Sequence, residues 1–279
     1  MMQFSLFEQI ALAIFLLSGI SFFLYHLLLR LKIILKGKSD FSIDQLPKRI
    51  ARVFDEVILH KKVASGKRKS AGILHALVMY GFIFFGLITI NHFGMAFGLP
   101  IFSDSIRHAY FLFFGAPWAI LCSIGILGLA YRRFVIKPEA LGKFSSTSAI
   151  VSVFIVTLMV TYLIDEFHIL SGAAEKFNWW LHSGVIGGFL FLIPQSKHMH
   201  LVLSPFNIFL RPFEVPSHGA IPIDMEASEE ELDNLLLDLS RLSKDQALDI
   251  FTCVECGRCT DVCPANRGGG ILDPKYHFI

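Results

Sequence analysis

The stretch FTCVECGRCTDVCPAN, residues 251–266, carries Cys253, Cys256, Cys259 and Cys263 at the spacing C-x2-C-x2-C-x3-C-P. Thiolates bind iron, and this spacing is the one by which bacterial ferredoxins hold [4Fe–4S] clusters. Two-residue gaps let three cysteines wrap one face of a cubane with little backbone between them. Structural zinc sites instead split into two pairs separated by a dozen or more residues, a pattern this chain lacks. In two-cluster ferredoxins the fourth cysteine of such a run serves the other cluster. Cys263 is therefore assigned either to the same cluster as its neighbours or to a second one. No second run is present to complete that cluster, so the chain is expected to be a piece of a longer protein or of a complex. Cys122, the fifth cysteine, sits in an apolar run and reads as a small buried residue.

Histidine supplies a second chemistry. Ionisable side chains inside apolar spans are costly and mark functional positions. His182 and His200 stand 18 residues apart, which at about 100° per residue is roughly five helical turns, so both point the same way, about 27 Å apart along the axis. His198 falls on roughly the opposite face, and Pro194, between the two, can kink the helix and alter that phase. His75 and His92 lie near the two ends of another apolar run, 71–95. If the two runs are antiparallel, His75 lies level with His200 and His92 with His182. Imidazoles paired this way would hold two b-type haems stacked across an apolar layer. His92 is turned about 100° from the face of His75, so His108 and His168, at the same edge, are alternatives for the fourth ligand. Gly72, Gly81 and Gly86 on one run, with Gly184, Gly187 and Gly188 on the other, leave room for a bulky planar ring. His26 has no partner at matching depth and reads as structural.

The elements that must position these residues are apolar. The 279 residues are 54% hydrophobic, only 17% charged and include 28 phenylalanines, with a mean hydropathy of +0.59. Five runs, near 8–30, 71–95, 108–131, 148–169 and 178–203, reach the length of about 20 residues that crosses a bilayer. The fold class expected is an all-α membrane protein, a five-helix transmembrane bundle over 1–210. A linker over 211–246 with an amphipathic helix from Ser228 leads to a small ferredoxin-like iron–sulfur segment over 247–279. The first run has neither the basic start nor the cleavage site of a signal peptide and is expected to be retained. Residues 31–70 hold eleven Lys and Arg, and 132–143 four more, against Arg107 and Lys176 on the other side. Basic loops face the cytoplasm, which puts the N-terminus outside and the cysteine segment inside, where a disulfide is disfavoured. Anionic lipid accounts for the basic loops without any nucleic acid.

RKSAGILHALVMYGF, the WWLH at 179–182 and PQSKHMHLVLSPFNIFLRP resemble the membrane cytochrome b subunit of respiratory nitrate reductases. This domain followed by CVECGRCTDVCPAN resembles the fused membrane iron–sulfur oxidoreductases of the heterodisulfide-reductase type, a group that includes electron-transfer flavoprotein:menaquinone oxidoreductases. The resemblance covers about residues 50–275. It implies two b haems, a quinone site beside the membrane domain and a cytoplasmic iron–sulfur domain. His75, His182 and His200 match the haem histidines, whereas His92 matches less well, because the nitrate reductase subunit sets its two second-helix histidines closer together. The second cysteine run and later cysteine-rich domains of the group are absent.

The expected function is electron transfer from an electron-transfer flavoprotein or similar cytoplasmic redox partner, through cluster and haems, to menaquinone in the respiratory chain of the cytoplasmic membrane. Quinol oxidation feeding a heterodisulfide- or sulfite-type reductase is the alternative direction. A non-redox anchor or transporter is an alternative of another class, although the inverted repeats usual in transporters are not evident, and a docking subunit is a third. No catalytic residue is identified; Lys197 and His198 are candidate quinone neighbours.

Overall fold

Away from water a helix satisfies its backbone N–H and C=O groups internally, and the long apolar runs fold accordingly. The computed structural model describes residues 3–38, 41, 43–213, 226, 228 and 242–277. Its helices are α1 (Leu6–Ile34), α2 (Leu46–Val53), α3 (Lys69–Ala96), α4 (Asp104–Tyr110), α5 (Ala116–Tyr131), α6 (Ser146–Glu166) and α7 (Ala173–Leu192). Then come α8 (His200–Leu210), α9 (Lys244–Phe251), α10 (Arg258–Val262) and α11 (Pro264–Arg267). Among the described residues there is no strand, and the one isolated bridge pairs Lys38 with Ser243. The expected amphipathic helix after Ser228 falls outside the described residues.

Among the described residues four helices are long and apolar enough to cross a membrane: α1, α3, the continuous stretch Asp104–Ile136 that contains α4 and α5, and α6. Only 11% of the apolar window of α1, and of α3, is buried within the protein. Such exposed apolar surface is that of a membrane protein. The fifth expected run departs from its forecast. Helix α7 begins with Glu175, Lys176 and Asn178 in its first two turns, is not among the four spanning helices, and stops at Leu192. Pro194 lacks an N–H and its ring clashes with the preceding turn, so short 3-10 turns at Ile193–Gln195 and Lys197–Met199 follow before α8. The phase argument over 18 residues therefore loses its premise, since no single helix joins His182 to His200.

The chain divides into two units, Met1–Phe23 with His60–Leu192, and Leu24–Leu59 with Ile193–Ile279. In the first, Leu12, Ala96 and Trp179 form a core against Phe4, Leu16, Phe93 and Trp180. Helices α3 and α5 approach closely because Gly81 faces Cys122, whose Sγ lies 2.9 Å from where a Cβ would stand. Cys122 is buried there, as a small packing residue.

In the second unit, the guanidinium of Arg49 is buried. It donates to the carbonyls of Asp44, Phe209 and Arg211 at 2.7, 2.8 and 3.2 Å, tying α2 to the end of α8. Lys38 N–H donates to Leu242 O at 2.9 Å, and Lys244 N–H to Lys38 O at 3.2 Å. Ser243 and Gln246 then close a capping box that starts α9, satisfying two backbone donors reciprocally.

Candidate functional site

A cavity of about 270 Å³ opens in the first unit. On one wall, α3 and α7 bring His92 and His182 together, with ring centroids 5.0 Å apart. His92 stacks on Trp179 at 4.7 Å and 14°, and its Nε2 lies 2.9 Å from the Ser183 hydroxyl. The lining also includes Arg107 and Glu166, paired at 3.0 Å, with Tyr110, Tyr162, Asp165 and His168. His168, one of the alternatives for a fourth ligand, thus lines the cavity, while His108 is not among its lining residues.

Hydrogen bonding decides which nitrogen His182 presents. Thr161 Oγ1 lies 2.6 Å from the Thr157 carbonyl and 2.7 Å from His182 Nδ1. A carbonyl only accepts, so the single hydroxyl proton goes to Thr157 and the Thr161 oxygen accepts from His182 Nδ1–H. Nε2 is then the basic nitrogen. Asn178 Nδ2 donates to the Thr161 carbonyl at 2.9 Å, locking α6 to α7 beside the imidazole.

In the second unit, His200 Nδ1 donates to the Lys197 carbonyl at 2.8 Å, which again leaves Nε2 as the basic atom. His75, in the first unit, has Nδ1 3.0 Å from Nε2 of His60; if His75 is the donor it presents Nε2 in the same way. Backbone or side-chain acceptors on the second nitrogen are the usual support of metal-bound histidine. His92 differs, its Nε2 being the atom engaged by Ser183.

Imidazoles with a basic Nε2, as at His182 and His200, are the kind of donor a haem would take, whereas His92 and His182, 5.0 Å apart between ring centroids, leave no room for one between them. Of the six glycines expected to leave room for a ring, only Gly86 and Gly184 have no neighbour within 4 Å of a Cβ position. The others are filled by protein: Gly72 meets Val63 and Ala64, Gly81 Cys122, Gly187 Phe15 and Gly188 Phe154. They serve close helix packing rather than a cofactor slot.

The cysteine segment forms a loop after α9. Glu255 and Gly257 both adopt left-handed backbone, φ 54° and 72°, and curl the chain around Cys256. Cys259 lies on α10 and Cys263 at its end. The Glu255 amide donates to the Cys253 thiol, while burial pushes that thiol above its ordinary pKa. Among the described residues no three His, Cys, Asp or Glu side chains converge as a metal centre requires. The fit to a cluster rests on four thiols in one tightly curled loop. Lys197 does not line the cavity; its Nζ pairs with Glu255 at 2.8 Å.

Against known proteins, the chain is 31% identical over 282 residues to the probable iron-sulfur-binding oxidoreductase FadF of Bacillus subtilis, covering 90% of this chain and 39% of that protein. It is 24% identical over 313 residues to the EtfAB:quinone oxidoreductase of Syntrophomonas wolfei, covering 95% of this chain and 42% of that protein. Both relatives are named as oxidoreductases, the first as iron-sulfur-binding and the second as acting on quinone. The chain spans about two fifths of the length of these relatives. No family model matches the chain, and no solved structure matches it.

His60, Tyr110, Thr161, Tyr162, Asp165, Glu166, Asn178 and Ser183 are members of these sites that sequence reasoning passed over. Asn178 and His182, four residues apart, share one helix face and Ser183 follows directly, polar residues in apolar surroundings that would have flagged them.

Proposed function

We propose that this chain is the membrane part of a quinone-linked oxidoreductase. It would carry electrons from a cytoplasmic flavoprotein, of the electron-transfer flavoprotein kind, to menaquinone. The name of the Syntrophomonas relative supports this reading, as does the cysteine run. The observation that carries it is the His92–His182 pair on the wall of a cavity that also holds Arg107, Glu166 and Asp165.

In this reading Cys253, Cys256, Cys259 and Cys263 hold a [4Fe–4S] cluster, with Cys263 alternatively serving a second one. His75, His92, His182 and His200 would be the haem ligands. Haem supplies one-electron exchange between ferric and ferrous iron. The chain's residues do the rest. Thr161, and the carbonyl of Lys197, fix the imidazoles with Nε2 as the ligand atom. At the cavity, quinone reduction takes two electrons and two protons. Arg107 is suited to orient a ring oxygen, and Asp165 and Glu166 to hand protons to the two oxygens. A concave site with a few converging polar groups is the usual form of a small-ligand pocket. The four apolar helices fit a lipid setting, with the cysteine loop on the cytoplasmic side by the basic-loop rule.

A dithionite-reduced minus oxidised spectrum of the full-length protein tests this. Bands of b-type haem near two per chain are expected, with one lost in His182→Ala and one in His200→Ala. Absence of haem overturns the reading. EPR of the reduced protein tests the cluster, and a Cys263→Ser variant with an undiminished [4Fe–4S] signal assigns Cys263 elsewhere.

A further inference from the structure

A helix on the surface of a protein in water turns its apolar stripe to the core and its charges to solvent. Helix α2 does the reverse. Its cations face inward: the buried Arg49 donates to Asp44 Oδ1 at 2.8 Å as well as to the carbonyls of Asp44, Phe209 and Arg211. Arg52 Nη1 donates to the Arg211 carbonyl at 2.5 Å, and its guanidinium lies 3.8 Å from the centre of the Phe213 ring. With that side spent on the end of α8, Leu46, Ile50 and Phe54 are left 51%, 56% and 53% exposed. Their spacing of four keeps them on one face, Phe54 opening the π-helical turn Phe54–Ile58 that continues the helix. Ile43, just before α2, is exposed as well.

Tethering and charge say what covers this face. The same unit contains the end of α1, a helix long and apolar enough to span a membrane, and Leu46 follows Lys38 by eight residues, a reach of at most about 29 Å. Lys32, Lys36 and Lys38, at and beyond the end of α1, and Lys48 on α2 are all exposed, and suit an anionic surface. Lys48 is two residues from Ile50 and so about 160° round the helix, at the border of the apolar face, where a long basic side chain reaches headgroups. Three apolar side chains on so short a helix bind lipid weakly alone, but tied to a span they meet it at high effective concentration. We propose that α2 is an interfacial helix, lying in the headgroup layer of a membrane that contains anionic lipid. Leu46, Ile50 and Phe54 enter the acyl boundary, to the depth of about 5–10 Å usual for such helices, and Lys48 stays among the phosphates. The proposal rests on the membrane setting of the apolar helices and on no cofactor.

The test uses the full-length protein in vesicles of equal parts phosphatidylcholine and phosphatidylglycerol. The fluorescent amino acid Anap replaces Ile50, Lys48 or Leu28 in turn, Leu28 being an exposed residue of α1 that reports insertion. Phospholipid brominated high on its acyl chains should quench emission at 28 and at 50, with a blue shift at both, and leave position 48 bright. Molar salt, or phosphatidylcholine alone, should reduce the quenching at 50, because the attraction of the lysines is screened or lost. Lys48→Gln should lower the ratio of docked to undocked helix by roughly fivefold, the worth of one lysine at an anionic surface. Quenching at 28 without quenching at 50 overturns the proposal. Equal quenching at 48 and 50 overturns it too, since the helix would then be submerged. If Anap at 50 does not fold, p-benzoylphenylalanine in place of Phe54 carries the test: irradiation should add the mass of one phospholipid, and an adduct with a second copy of the chain or another polypeptide overturns the lipid assignment. No quenching at 28 overturns the membrane setting and the proposal together.

Discussion

Thr161→Val removes a hydroxyl and leaves the volume almost unchanged. Thr161 is buried, 4% exposed, and its Oγ1 is the acceptor for His182 Nδ1–H at 2.7 Å. The Thr157 carbonyl loses only a second, side-chain donor, since it keeps its place in the backbone ladder of α6. The cost therefore falls on one imidazole N–H left without its acceptor, about 1–3 kcal/mol for a buried donor. At about 1.4 kcal/mol per tenfold, that is roughly five- to 150-fold in affinity for whatever Nε2 binds. Loss of a supporting hydrogen bond behind a metal-bound histidine usually costs about 10–100-fold, and the two ranges agree. The assay is haem content by pyridine haemochrome, with haem titrated back into depleted protein. Occupancy at one of two haems should fall in Thr161→Val and recover in Thr161→Ser, which keeps the oxygen. Full haem with unaltered affinity in Thr161→Val would refute the tautomer argument, because it would mean that His182 does not need an acceptor at Nδ1.

Three further outcomes can be measured. Gly184→Leu adds a side chain where nothing lies within 4 Å, so folding should survive while any haem bound beside it is displaced; Gly187→Leu runs into the Phe15 ring and should lower the thermal midpoint first. Arg49→Met strips donors from the Asp44, Phe209 and Arg211 carbonyls and should destabilise the second unit by about 3 kcal/mol or more; Arg49→Lys should not rescue it, since an ammonium lacks the planar fork. Gly37→Val places a Cβ 2.7 Å from Lys244 N and should part the Lys38 pairing at a cost of about 1–3 kcal/mol, read as faster proteolysis near residues 242–253.

Where structure follows from local pattern, the sequence was a sufficient guide. Apolar runs of spanning length became α1, α3, the Asp104–Ile136 stretch and α6, each within a few residues of its expected bounds. The fifth run misled because hydropathy was counted through Pro194, where the helix stops at Leu192 and a 3-10 turn takes over. His92 looked badly phased against His75, but each faces a different neighbour, Trp179 and His182 in one case and His60 in the other. Two histidines on one helix need a common face only if they serve a common partner. The remaining site residues were hidden by distance in sequence. Thr161 and His182 lie 21 residues apart, and Lys197 and Glu255 lie 58 apart. No periodicity links such pairs; only packing brings them together.

The interruption between Leu192 and His200 bears on how such a chain can vary. In an unbroken helix, one inserted residue turns everything beyond it by about 100°, so a change that suited one histidine would ruin the other. Here the turns at 193–199 can absorb an insertion locally, and His200 takes its orientation from the carbonyl of Lys197 three residues away. His182 takes its own from Thr161 on a different helix. Each imidazole is thus under separate control, and substitutions around one leave the setting of the other untouched.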